Sequence, residues 1–350
     1  MSNPYQALPN RAFWRRAVAS PPEAEVDPVL EAPFKIGRKD QIATAGSCFA
    51  QHISRTLHRL GYRYLVTETA PKAGGENYGV FPARFGNIYT TRQLLQTFDR
   101  AYGLFRPLDI YWERADGALA DPFRPQIQSA AFATLEELEA DRNRHFACVR
   151  AMFETCDILI FTLGLTESWR STRDGAVLPL VPGVSGGELG PDYEFHNLNI
   201  EEVTADLSAF IRKLRMVNPH VRIILTVSPV PLIATYEPQH VLVSNTWSKA
   251  VLRVAAGQVA AVEVGVCYFP SYEIITGPQA RGRYFAEDLR TVTEAGVTRV
   301  MGLFSRHFLA DSIERQSQFP PPAPAPDKDY QQRFEDLAEI ICDEQAIDQS

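Results

Sequence analysis

The uncharged run Ile158-Leu159-Ile160-Phe161-Thr162-Leu163 constrains this chain more than any other stretch. A strand that is apolar without alternation has no face to give to water, so it must be covered on both sides, as inner strands of parallel sheets are. Other strand-like runs, less purely apolar, are Ile42 to Ala45, Tyr62 to Thr67, Val221 to Val227 and Val262 to Phe269. Helical patterns separate them. One follows Ser47 with Ile53, Leu57 and Leu60 on one face, and others span Thr134 to about Phe153, Ile200 to Met216, about Asn245 to Val259, and Thr293 to Phe304. Alternating strands and helices imply an α/β fold: three layers, α/β/α, with a mostly parallel sheet and right-handed crossovers.

With 350 residues, 45% of them hydrophobic and 22% charged, the chain can bury a sizeable core. Residues 40–310 read as one α/β domain. Residues 1–39 read as an N-terminal arm that docks through Phe13 and Trp14 or offers them to a partner. Residues 311–329, with the run Pro320 to Pro326, read as a semi-rigid linker, and residues 330–350 as a helical tail. The arm or the tail offers a surface for a homo-oligomer. A net charge of -7 argues against nucleic-acid and acidic-membrane partners. Five scattered cysteines without a Cys-x-x-Cys pair indicate neither a disulfide framework nor a zinc site, so no metal or other cofactor is expected. No run approaches the length of a membrane helix and Met1 to Tyr5 lacks the layout of a secretion signal; a cytoplasmic protein is expected.

Chemistry concentrates at the ends of the apolar runs, where open parallel sheets place their sites. The first run breaks at Gly46 and enters Ser47-Cys48-Phe49-Ala50. A hydroxyl there either caps the helix or acts as a nucleophile beside helix N–H groups, and Cys48 is an alternative nucleophile. Gly86-Asn87 either presents an N–H and an amide to a substrate oxygen or forms a turn in which Asn87 is left-handed. Gly164-Leu165-Thr166-Glu167, Ser228, Ser271-Tyr272-Glu273 and Asp288 end up at the same edge. The Gly-rich excursion from Ser171 to Asn199 reads as a substrate lid or as surface decoration.

Gly46-Ser47-Cys48-Phe49-Ala50 resembles the motif that names the GSCFA family, which is similar to the SGNH/GDSL hydrolases. Phe85 to Thr90, Phe161 to Glu167, Thr226 to Leu232 and Tyr268 to Glu273 extend the resemblance. It implies a flavodoxin-like SGNH-hydrolase fold, with Ser47 as nucleophile and Gly86, perhaps joined by Asn87 and the Ser47 N–H, for the oxyanion. Gly164 to Glu167 resembles the superfamily's Gly-x-Asn-Asp, with Thr166 in the Asn position. Asp288 stands where the Asp of Asp-x-x-His belongs, but Thr291 holds the His position. Of the seven histidines, His240 lies in a strand-to-helix loop at the right edge and is the candidate base. The family's usual setting is bacterial, often linked to polysaccharide metabolism. Two functions follow: an esterase or O-acyltransferase using Ser47 on an acylated glycan or similar polar ester, or a non-catalytic carbohydrate- or partner-binding module that has lost its base.

Overall fold

The computed structural model describes residues 3–70 and 76–310. The linker, the tail and Cys342 lie outside these residues, as does part of the loop before Tyr78. In chain order the elements are β1 (Ile42–Gly46), α1 (Phe49–Arg59), α2 (Thr91–Ala101), β2 (Trp112–Glu113), β3 (Leu119–Ala120), α3 (Leu135–Thr155), β4 (Ile158–Leu163), β5 (Glu167–Ser171), β6 (Val177–Leu178), β7 (Tyr193–Asn197), α4 (Ile200–Val217), β8 (Arg222–Val227), α5 (Val241–Val262), β9 (Val266–Tyr268), α6 (Ser271–Thr276) and α7 (Glu294–Phe308).

The main sheet has the order β1-β4-β8-β9 and every pair in it is parallel. Successive side chains of a strand point to opposite faces, and both faces here are apolar. Ala43, Leu159, Phe161, Ile223 and Leu225 meet α2, α3, α4 and α5 on one side. Ile42, Ile158, Ile160 and Ile224 meet α1, α6 and α7 on the other. The three-layer α/β/α arrangement expected from the sequence is therefore the fold.

Three elements differ from expectation. Tyr62 to Thr67 gives one parallel bridge, Tyr64 to Ile42, because the Thr67 and Glu68 N–H groups turn away to the Pro82 carbonyl. With that bridge counted as a residual strand, the order reads 2-1-3-4-5, the flavodoxin-like arrangement. Val262 to Phe269 contributes only β9, because α5 continues to Val262, and Val262 and Val264 point to solvent. The excursion after Ser171 belongs to a second, antiparallel sheet of order β6-β5-β7, and β2 pairs with β3 as a separate antiparallel hairpin.

The arm docks through Ala32 and Ile36, which are buried in the core beside α1 and α7, and through acidic residues. Asp27 Oδ2 pairs with His307 at 2.7 Å and Arg306 at 3.2 Å, and Glu23 lies between Arg283 and Arg299. Trp14 is 66% exposed, so it is no anchor among the described residues. Among the described residues no helix is long and apolar enough to cross a membrane.

Candidate active site

The turn after β1 is shaped by a backbone approach. Gly46 has φ +134°, and a Cβ built on it would fall 2.8 Å from the Thr162 nitrogen. Only glycine fits, and the chain can turn sharply while still paired to β4. Ser47 follows at the switch point, where the connection from β1 leaves toward the α1 layer and those from β4 and β8 toward the α4 and α5 layer. Its N–H donates to Thr162 O at 3.3 Å and its carbonyl accepts from Ala50 N at 2.9 Å. Cys48, not Ser47, occupies the helix-capping position, and no side chain caps α1. The Ser47 hydroxyl is 3% exposed and has no hydrogen-bond partner among the described residues. A buried hydroxyl left so costs roughly 1–3 kcal/mol, and such groups collect where function requires them.

Ser47 lines a small pocket with Cys48, Tyr89, Gly164, Ser228 and Lys249, roofed by Val230, Pro231 and Leu232. Its free volume is about 10 Å³, close to the space one water needs. Ser228 N donates to Leu163 O at 2.8 Å and Leu232 N to Asn245 Oδ1 at 3.1 Å, which pins the roof at both ends. Lys249 is 1% exposed, and its Nζ donates to Gly164 O at 2.6 Å. Sequence reasoning missed this lysine. The signal was available, because Lys249 stands with Leu252, Ala256 and Val259 on the buried stripe of α5, where a lysine is out of place.

The other predicted residues divide. Gly86 and Asn87 come close, since Ile88 N donates to Gly46 O at 2.9 Å. It is Gly86, at φ +72°, that is left-handed, and Asn87 is not. Gly164 lines the pocket, with its N–H given to Tyr89 O. The Thr166 hydroxyl is fully buried, 2.7 Å from Asn197 Oδ1 and 3.0 Å from Ser248 Oγ, so it secures β5 and β7 to α5. Glu167 accepts from Thr235 Oγ1 and Tyr236 N, which holds the loop after the roof; burial raises its carboxyl above the ordinary value.

His240 caps α5, its Nδ1 accepting from Leu242 N at 3.1 Å, so this helix starts before Asn245 and the imidazole is exposed. Asp288 accepts from Thr291 Oγ1 at 2.5 Å and from two backbone N–H groups, a self-contained turn whose hydrogen bonds, the Thr291 hydroxyl first, depress its pKa. Neither residue joins the pocket lining, although Arg290 of the same turn donates to Pro231 O in the roof. No histidine lines the pocket. His145 is buried against Glu68, His196 pairs with Glu202, and His307 with Asp27.

Beyond Gly86 and Asn87 opens a far larger cleft of about 830 Å³. Phe81, Phe85 and Phe123 line it together with Asn77, Gln126 and Gln128. Arg124 in its lining belongs to a buried ionic network. Arg124 bridges Asp121 at 3.0 Å and Asp141 at 2.8 Å, and Arg84 meets Asp141 at 3.1 Å. Burial pushes the Asp121 carboxyl up, but the guanidinium groups of Arg124, Arg142 and Arg100 overcome that and hold it below the usual range.

Solved structures similar to this chain include a Streptococcus pneumonia protein assigned as a platelet activating factor, at 13% identity and TM-score 0.27, covering 49% of this chain and 65% of that one. A carbohydrate esterase family 3 protein from Talaromyces cellulolyticus matches at 11% identity and TM-score 0.32, over 76% of this chain and 94% of its own. An acetyl esterase mutant with acetate ion matches at 11% identity and TM-score 0.31, over 75% and 93%. No curated protein matches. The GSCFA family matches from residue 41 to residue 304, taking in the Gly46 turn, the pocket and its roof, and the chain belongs to that family.

Proposed function

We propose that this chain is an SGNH-like serine esterase or O-acyltransferase acting on an acylated glycan or similar polar ester. The observation that carries this is the Ser47 hydroxyl, buried and unpartnered at the switch point of a parallel sheet. In the reaction, Ser47 Oγ attacks the ester carbonyl, and N–H donors near Gly86 and Asn87 hold the oxyanion. The acyl group passes to Ser47 and then to water or to an acceptor hydroxyl. The amide-rich cleft beside the pocket supports a polar substrate, with phenyl rings for the apolar faces of sugars. Substrate enters once the Val230 to Leu232 roof is displaced. A fluorophosphonate probe is expected to label Ser47 and to fail with Ser47→Ala; no labelling of folded protein overturns the proposal.

A second reading has its own support. With Thr291 in the histidine position and no histidine in the pocket lining, the domain also suits a non-catalytic module that binds glycans in the large cleft. Calorimetric titration with acetylated oligosaccharides separates the two. A binding module keeps its affinity in Ser47→Ala and turns over no activated ester.

A further inference from the structure

We propose that Lys249 is the general base that takes the Ser47 proton. This inference rests on Ser47 being a nucleophile and supplies what that reading lacks. Lys249 reaches the pocket from α5, its Nζ on the carbonyl of Gly164 directly after β4, while Ser47 reaches the same pocket from the end of β1, the strand paired to β4. The Ser47 hydroxyl has no hydrogen-bond partner among the described residues, so Nζ does not touch it, and their shared space of about 10 Å³ has room for one water to carry the proton between them. The neutral form of the amine is the one that accepts a proton.

The step balances without a co-reactant. Neutral Nζ takes the proton from Ser47 Oγ as the Oγ–acyl carbon bond forms. The resulting ammonium then gives that proton to the departing alkoxide as the ester C–O bond breaks. The amine is restored for the attack of water or an acceptor hydroxyl on the acyl-serine. The Gly164 carbonyl holds the nitrogen in place throughout and favours the ammonium at the moment it forms.

The test measures the rate of fluorophosphonate labelling at Ser47 in the full chain, alongside thermal unfolding. Lys249→Met is expected to slow labelling by about 100-fold or more. Lys249→Arg keeps a cation and a donor for Gly164 but cannot accept a proton near neutral pH, so it is expected to hold its fold and slow labelling alike. A structural lysine predicts the reverse for Lys249→Arg, near-normal labelling. In the unmutated protein, modifying histidines with diethyl pyrocarbonate is expected to leave labelling intact, which needs no folded variant. Wild-type rates in a folded Lys249 variant, or labelling lost to diethyl pyrocarbonate and restored by hydroxylamine, overturn the inference while leaving Ser47 as nucleophile. No labelling of the wild type overturns both.

Discussion

Ser47→Ala should leave the melting temperature unchanged or raise it, by at most the equivalent of about 1 kcal/mol, because the methyl group that remains has no hydrogen bond to lose. A clear fall in thermal unfolding would show that the hydroxyl is structural. Gly46→Ala is expected to act oppositely. Its Cβ meets the Thr162 backbone, which cannot step aside without unpairing β1 from β4, so a loss above about 3 kcal/mol or failure to fold should appear in denaturant titrations. His52, half-buried on α1, gives a pH signature: burial first and Arg55 second depress its pKa from 6.5 to about 4. The unfolded chain therefore binds this proton before the folded one does. The stability the neutral ring allows is complete above pH 6.5 and falls as pH drops toward 4. His52→Gln should flatten that part of the stability–pH curve by on the order of 1 kcal/mol, measured by urea unfolding at pH 7 and pH 5.

The hairpin β2–β3 and the helix α3 are joined by charge. Asp121, just past β3, faces Arg124, Arg142 and Arg100, while Asp141 of α3 faces Arg84 and Arg124. Asp121→Asn leaves buried guanidinium groups without their counter-charge and should cost about 3–5 kcal/mol, read as a lower unfolding midpoint. Nothing in the sequence announces this network, since arginines and aspartates so far apart look like ordinary surface residues. The sheet was legible for the opposite reason: β1, β4 and β8 are apolar on both faces, and that pattern has few other uses. Tyr62 to Thr67 has the composition of a strand, yet tertiary partners at Pro82 took its N–H groups. The turn at Gly46 and Ser47 could be read from glycine and serine at a strand end. The pocket's lysine left a signal too, a charge on the apolar stripe of α5 with Leu252, Ala256 and Val259, but which loop ends that stripe faces is not written in the helix pattern.

Across the domain, the three layers are stitched by connections of very unequal reach. The helices α4 and α5 flank β8 in sequence, whereas β1 must wait for β4, whose register begins with Ile42 opposite Ile158. Closing so long a loop before any contact rewards it is entropically costly, so β1 should dock after the α4–β8–α5 unit has formed. Pulse-labelled hydrogen exchange during refolding checks this: amides of α4 and β8 should gain protection ahead of those of Ala43 to Ala45, and simultaneous protection would argue for a single cooperative step. Ser47 stands on that late strand and Lys249 on the early unit. On that folding order the Gly46 turn closes against Thr162 last, and Ser47 and Lys249 would come to share a pocket only when the chain around them is complete.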